Sequence, residues 1–494
     1  MKFSLLFFAT AAAALPAVGP DYQRPAAPVP TAYRDLPAAG EAWKPATPAD
    51  GTRRGAWWKA YGDPALDELE TRALGANQDL QAAAARVEQA RATAGVARSA
   101  YLPSVALDAS TERQRYSLTE DNAFPQDQTN TYVGSLDASW ELDLFGRVRR
   151  LNESARADAQ ASQADFESVR LALTADVATT LFALRALDQE LRWLADGIGL
   201  RRRELDLVRA QRRRGAATDF DLARAETELA STEAESAGTA NRRALLQDAL
   251  SLLVGEPASA FAVPAGAPLP FAQVPEIPAG LPSDLLERRP DVAAAERALV
   301  AANARIGVAK AAFFPALSLT GGAGYGTSDL SHLFQADSRV WSIGPSLYLP
   351  LFQGGRNRAT LARSQAAYTE AVAVYRQRVL TAFREVQDAL TSARLLAEQS
   401  SAQDRALAAA QRAGVLAQKR YRAGFVSFFE VIDAQRTVLA AERASTQVAA
   451  QRLTNSVALI KSLGGGWAPS AASTTSRAFK ASHPLSPTAS QLNS

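Results

Sequence analysis

The 494-residue sequence contains no cysteine and only two histidines, His332 and His483. Without cysteine the chain cannot form a disulfide, a thiolate metal site or a cysteine nucleophile. Two histidines in polar surroundings give little material for a catalytic triad or a zinc site. The Gly-rich run at 321–324 lies within an alternating, strand-like segment and not in a phosphate-binding loop. We therefore expect no enzyme, no cofactor and no bound metal.

An excess of charge of one sign is also missing, because 54 Lys and Arg residues stand against 51 Asp and Glu residues. Such a balance creates no strong field toward nucleic acid, so we expect no nucleic-acid partner. The long segments are instead rich in Ala, Arg, Glu and Gln. That mixture is typical of long or coiled-coil helices.

Long apolar runs are absent beyond the start of the chain. Met1-Lys2 is followed by an apolar run, 3–14, and by small residues, which is the layout of a secretory signal. The run is shorter than the ~20 residues that a spanning helix needs. We predict a signal peptide at 1–17, with Ala14 as the candidate cleavage position. If such a chain spans a membrane, it must do so with β-strands.

The sequence divides into two similar halves. Tyr101-Leu102-Pro103 recurs as Phe313-Phe314-Pro315, and Arg214-Gly215 recurs as Arg422-Ala423-Gly424, about 210 residues later in each case. This spacing predicts an internal duplication. The predicted units are a Pro-rich segment (18–64), the first repeat (65–256), a Pro-rich connector (257–282), the second repeat (283–466) and a disordered tail (467–494).

Each repeat has the same predicted order of elements. An opening helix (65–100 or 283–313) is stopped by Pro103 or Pro315, and a β-hairpin follows (about 104–144 or 316–352). A long helix comes next (147–214 or 356–422), then a returning helix (219–254 or 428–463). The long helix corresponds to about 100 Å at ~1.5 Å per residue. The opening and returning helices together match its length, so two shorter helices stacked end to end could pair with each long one.

The predicted strands alternate apolar and polar residues. Tyr132, Trp140, Tyr325 and Trp341 stand on the apolar side, as in the aromatic girdles of a lipid-facing barrel, although a half-buried soluble sheet alternates in the same way. The polar connections 113–130 and 327–339 would be external loops. Four strands per chain are fewer than the roughly eight of the smallest barrels, and lipid tolerates no open sheet edge. A membrane location therefore requires an oligomer, whose size the strand count alone leaves open.

Four stretches resemble the TolC-like outer-membrane factor family, in particular its NodT-type branch that serves resistance-nodulation-division (RND) pumps. They are Val18–Pro25, Trp57–Leu66, Trp140–Arg147 and Arg289–Glu296. The resemblance implies an α+β membrane protein: a homotrimer with a twelve-stranded β-barrel in outer-membrane lipid, continued by a long α-helical barrel across the periplasm. It also implies a passive efflux conduit for small molecules, with a periplasmic adaptor and an inner-membrane RND transporter as partners. A type I protein-secretion duct and a periplasmic coiled-coil scaffold are the alternatives.

The resemblance places the functional residues where the helices turn back. Asp433, Glu430 and Asp221 match positions that form acidic rings at the periplasmic constriction, and Tyr421 matches a tyrosine that helps to hold it closed. The adaptor-docking tip would comprise Gly215, Ala216, Ala217, Thr218, Gly424, Phe425, Val426 and Ser427. Val426 stands where relatives often carry a gate arginine, so a salt-bridge latch from that position is missing.

Each of these roles has a plainer alternative. The glycines could simply end helices. Thr218 with Asp221, and Ser427 with Glu430, have the spacing of capping boxes. Asp433 could pair with Arg436 on an exposed helix face.

The branch normally carries a lipidated cysteine just ahead of Val18, whereas Leu15-Pro16-Ala17 contains none. We therefore predict no lipidation, ordinary signal cleavage and anchoring by the barrel alone. The intact mass of the mature protein should equal that of the unmodified polypeptide. A diacyl modification in that spectrum would contradict the prediction.

Overall fold

A computed structural model describes residues 17–27, 34, 55–117, 128–265 and 288–465. The predicted tail, nearly all of the predicted signal peptide, most of the connector and the loop residues 118–127 lie outside the described residues. Within the described ranges, no helix is both long and apolar enough to cross a bilayer.

The helices differ greatly in length. Two have 67 residues each, which corresponds to about 100 Å. The helices are α1 (Pro64–Ala76), α2 (Gln78–Ser99), α3 (Arg147–Arg213), α4 (Asp219–Leu253), α5 (Pro290–Ala311), α6 (Arg356–Arg422) and α7 (Phe428–Ser462). Helix α3 packs along α1, α2, α4, α5 and α7, whereas α6 packs along α5 and α7. The two long helices thus organise the helical part of the chain.

Four strands form one antiparallel sheet in the order β1-β2-β3-β4. They are β1 (Ser104–Arg115), β2 (Gln128–Leu142), β3 (Ala316–Thr327) and β4 (Arg339–Tyr348). Strands β1 and β2 extend into the predicted loop 113–130. Strand β4 ends at Tyr348, earlier than the predicted 352, and Pro350, which has no N–H to donate to a ladder, follows closely.

The prediction of one continuous opening helix was wrong for the first repeat, where two helices meet at Asn77. In the second repeat the described helix begins at Pro290, and residues 283–287 lie outside the described residues. In the first repeat, Asn77 has an extended backbone (φ −63°, ψ 126°) and its side chain caps α2 at Leu80 N, 2.9 Å away. In the second, Arg289 is extended (φ −79°, ψ 121°) because Pro290 disfavours a helical conformation for the preceding residue. The second opening helix also ends at Ala311, before the predicted Phe313.

At Asn77 and at Arg289, the side chain binds the C-terminal end of a returning helix. The Asn77 amide donates to the Leu253 carbonyl at 2.9 Å, and the Arg289 guanidinium donates to the Ser462 carbonyl at 3.0 Å. These carbonyls belong to helix C-termini and would otherwise lack partners. Helix α4 therefore meets the α1–α2 junction end to end, and the three helices line α3. In the second repeat, α5 and α7 together have fewer residues than α6.

The elbow between β2 and α3 explains the motif Trp140–Arg147. Gly146 adopts a left-handed conformation (φ 80°), and the Asp143 carboxylate accepts hydrogen bonds from the backbone of Val148 (3.1 Å) and Arg149 (2.8 Å). Arg147 forms an ion pair with Glu141 at 2.5 Å. The motif thus fixes the direction in which the long helix leaves the sheet.

Two of the other stretches that resemble the family, Val18–Pro25 and Arg289–Glu296, bind each other. The Arg24 guanidinium donates two hydrogen bonds of 2.7 Å to the Glu296 carboxylate. Burial alone would raise the pKa of Asp291, but the guanidinium of Arg289 beside it holds that pKa below its ordinary value. These polar contacts join distant parts of the chain.

The main core lies around the middle of α3. Leu181 and Phe182 pack there with Tyr61, Leu66 and Leu250. On the same short helix as Leu66, the Glu70 carboxyl is fully buried and neither of its oxygens has a hydrogen-bond partner among the described residues. Burial, assisted by nearby Asp67, raises the pKa of Glu70 to about 9. The side chain is therefore neutral at pH 7.

Glu70 should make stability depend on pH. Between the ordinary pKa of 4.5 and about 9, the folded chain holds a proton that the unfolded chain has released. The free energy of unfolding should thus fall as pH rises, by up to about 1.4 kcal/mol per pH unit. Glu70→Leu should remove this dependence, so its gain over wild type should be larger at pH 8 than at pH 5 in denaturant titrations.

Glu68→Gln is the matched control, because that carboxylate is 71% exposed. Its difference from wild type should be the same at both pH values. Parallel pH dependence of wild type and Glu70→Leu would contradict a neutral buried carboxyl.

Candidate functional site

Each long helix is joined to its returning helix by a turn, and the two turns have the same backbone conformation. Gly215 (φ 74°) and Gly424 (φ 78°) are left-handed. Ala216 N donates to Gln211 O, and Phe425 N donates to Arg420 O, each at 2.9 Å. These bonds satisfy carbonyls at the ends of α3 and α6. The predicted tip residues are therefore brought into two compact turns, and helix termination accounts for their glycines.

The turns lie side by side. The Tyr421 hydroxyl donates to Gln211 Oε1 at 3.1 Å, so the end of α6 is bonded to the end of α3. The Tyr421 and Phe428 rings lie 5.6 Å apart, and Phe428 packs on a small cluster around Leu205 and Val208. The structure thus joins Tyr421 to the first turn, with Gln211 as a partner that the sequence analysis did not identify.

Asp221 is committed to capping α4. The Thr218 hydroxyl accepts from Asp221 N at 3.1 Å, and the Asp221 carboxylate accepts from Thr218 N at 3.0 Å. Hydrogen bonds from the side chain and backbone of Thr218 hold the pKa of Asp221 below its ordinary value. The capping-box alternative for this residue is confirmed.

Glu430 and Asp433 differ from Asp221. The capping box predicted for Ser427 and Glu430 does not form, because this turn closes through the backbone, with Glu430 N donating to Ser427 O at 3.2 Å. The partner expected for Asp433 is engaged elsewhere, since Arg436 donates to Glu228 at 2.9 Å. Both carboxylates are exposed on α7, and neither forms an ion pair within the described chain.

Two arginine–glutamate pairs join the returning helices of the two repeats. Arg436 binds Glu228, and Arg443 binds Glu235 at 3.0 Å. The pairs are seven residues apart on both helices, so they lie on one face of each. Arg443 also reaches Glu190 of α3 at 2.7 Å. This connection was not predicted from the sequence, although the shared spacing of seven residues is visible there.

Buried polar groups reinforce the connection. Gln435 donates to Glu204 of α3, and burial raises the pKa of Glu204. Glu228 is itself buried. Helix α7 is therefore joined to both α3 and α4 by polar contacts whose carboxylates are partly or fully buried.

The outer surface of the tip is aromatic. Phe220 and Phe425 are 71% and 76% exposed, and Phe429, also exposed, lies beneath the Arg224 guanidinium at 4.2 Å from its ring centre. Exposed aromatic clusters of this kind often mark protein-contact surfaces. In the described part of the chain, no group of three or more acidic or histidine side chains could hold a metal ion.

Comparisons with known proteins cover nearly the whole chain. A family model described as outer membrane efflux protein matches residues 69–256 and 281–465. The chain is 35% identical to the probable efflux pump outer membrane protein TtgC of Pseudomonas putida over 456 residues, 91% of this chain and 92% of that protein. It is 34% identical to the cation efflux system protein CusC of Escherichia coli, over 91% of this chain and 95% of CusC.

A solved structure is equally similar. The outer-membrane channel OprN superposes with a TM-score of 0.82 at 32% identity, covering 91% of this chain and 99% of OprN. The TolC-like fold predicted from the sequence is thereby confirmed.

Replacing Arg436 should destabilise the fold. The Glu228 side chain is only 9% exposed, and Arg436→Gln leaves its charge without a guanidinium. We expect a loss of about 1–3 kcal/mol in the free energy of unfolding, measured by denaturant titration in detergent. Arg436→Gln combined with Glu228→Gln should recover part of it.

Arg209→Gln is the control, because Arg209 and Glu226 are 47% and 50% exposed. Such a pair contributes less than about 1 kcal/mol. Equal losses in both single variants would contradict a special role for the buried Glu228 carboxylate.

Proposed function

Because the chain belongs to the outer membrane efflux protein family, we propose that its two helix turns form the periplasmic entrance of an export channel. The chain is the outer-membrane channel of a tripartite efflux system, located in the outer membrane and extending into the periplasm. The observation that carries this function is similarity over nine-tenths of the chain to efflux channels. No observation favours a type I secretion duct or a periplasmic scaffold.

The assembly we propose is a homotrimer. One chain supplies a sheet with two open edges, β1 and β4. Three copies would supply twelve strands, and each β4 could pair with β1 of the next copy, so that no edge faces lipid. The long helices would continue the barrel as a tunnel of about 100 Å.

The partners we propose are a periplasmic adaptor and an inner-membrane RND transporter. The adaptor would dock on the two turns, Gly215–Thr218 and Gly424–Ser427. Exposed Phe220 and Phe425 at these turns support this assignment, because apolar side chains there gain by being covered. The cargo would be small molecules such as drugs, other toxic compounds or metal ions; the name of CusC indicates cations for that protein.

The gate we propose consists of Asp433 and Glu430 on α7, with Tyr421 holding the end of α6 against α3. A three-fold axis would bring three copies of each carboxylate close together and favour cations. Asp221 would contribute less, because its carboxylate already caps α4. In place of an arginine at Val426, the Tyr421–Gln211 bond and the Arg436–Glu228 pair would keep the helices together.

Conductance in planar bilayers tests the channel and its gate together. Wild type should conduct ions and be blocked by multivalent cations on the periplasmic side. Asp433→Ala should raise the single-channel conductance or reduce that block, because a ring of negative charge is lost.

Asp219→Ala is the control, because this exposed carboxylate lies at the first turn and is paired with Arg212 at 2.5 Å. It should leave the block by multivalent cations unchanged. An Asp433→Ala channel identical to wild type in both quantities would remove Asp433 from the gate. A wild-type protein that does not conduct would contradict the channel itself.

A further inference from the structure

Basic and acidic side chains of the sheet lie on opposite faces. The register places Leu107, Leu136, Ala323 and Trp341 opposite one another, so these residues share one face, called here the outward face. It is strongly apolar, and Leu107 and Trp341 are 75% and 79% exposed. In the four strands, Arg113, Arg115 and Arg339 lie on this face, whereas Asp108, Glu112, Asp137 and Glu141 lie on the opposite, inward face.

The three arginines also share one end of the sheet. Arg113 and Arg115 end β1, and Arg339 begins β4, all at the end remote from the helices. Tyr132, Tyr325 and Trp341 stand beside them on the outward face, with Tyr325 directly opposite Arg339. Aromatic side chains of barrels collect at the boundary between hydrocarbon and headgroups. The arginines are therefore at the height of the headgroups of the outer leaflet.

The arginines belong to the two edge strands. In the proposed trimer, β4 of one chain lies next to β1 of its neighbour, so Arg339 would approach Arg113 and Arg115 across each seam. Three equivalent basic clusters would then surround the barrel. This step rests on the proposed function.

We propose that each cluster binds the phosphate groups of a phosphorylated glycolipid in the outer leaflet. A guanidinium can donate two parallel hydrogen bonds to a phosphate, and the low polarity of the interface strengthens them. No carboxylate within the four strands shares this face. Arg113 donates to Gln128 of the neighbouring strand at 2.7 Å, which ties its guanidinium to the sheet.

Lipid retention by the purified trimer tests the site. Native mass spectrometry would count bound molecules of bis-phosphorylated lipid A, of the same lipid with both phosphates removed, and of phosphatidylethanolamine. Wild type should retain the bis-phosphorylated form about tenfold or more above the dephosphorylated form. Arg113→Gln/Arg115→Gln/Arg339→Gln should lose this preference. Asp108→Asn/Glu112→Gln, on the inward face of the same strand, should keep it.

Inorganic phosphate as competitor separates the two sources of phosphate. If millimolar phosphate leaves lipid A in place, the site recognises the lipid-borne group. Complete displacement would overturn a lipid site in favour of one for the free anion. If the triple variant does not assemble, Arg113→Gln and Arg339→Gln alone should each weaken retention severalfold.

Conductance of the same samples separates this inference from the proposed function. A wild-type channel that conducts normally but retains both forms of lipid A equally would overturn the phosphate site alone. A wild-type protein that neither assembles nor conducts would overturn the channel and the site together.

Discussion

Edge strands β1 and β4 each present a row of backbone N–H and C=O groups that find no strand partner within the described chain. In lipid every such group costs several kcal/mol if it stays unpaired. In the proposed trimer, pairing between copies would remove this cost, and it would also set the direction in which each chain leaves the membrane. The elbow at Asp143 and Gly146 transmits that direction to α3. The position of the helical tips in the proposed trimer would thus depend on the closure of the sheet.

In the helical part, a helix of about 100 Å is packed along its length by shorter helices. Wherever two helices meet end to end, carbonyls of one and N–H groups of the other lose their partners. Asn77 caps α2 with its oxygen and holds α4 with its amide, so one side chain serves both ends. Arg289 holds α7 at the equivalent place of the second repeat. The duplication has kept the joint while changing the residue that makes it.

Periodicity and the repeated landmarks were enough to predict the hairpins, the long helices and the turns, because these follow from local patterns. The break at Asn77 was missed, since asparagine within a helical pattern is not a strong stop and its role depends on Leu253, far along the chain. Proline at 290 did carry the signal for the extended backbone at Arg289. At the candidate gate, sequence spacing identified Asp221 as a cap but not the partner of Arg436, because Glu228 belongs to the other repeat. Pairing between repeats is set by packing, which no local pattern encodes.

The two turns show how a duplicated unit can take on separate tasks. In the first, Thr218 and Asp221 bind each other, so this carboxylate stabilises the helix start. In the second, Ser427 and Glu430 have the same spacing without the reciprocal bonds, and the Glu430 carboxylate stays exposed. A carboxylate left out of a cap adds negative charge to the surface without stabilising its helix through that bond. In the proposed channel, the second turn would therefore have its acidic groups available for ions in transit, while the first keeps its own in place to support the fold.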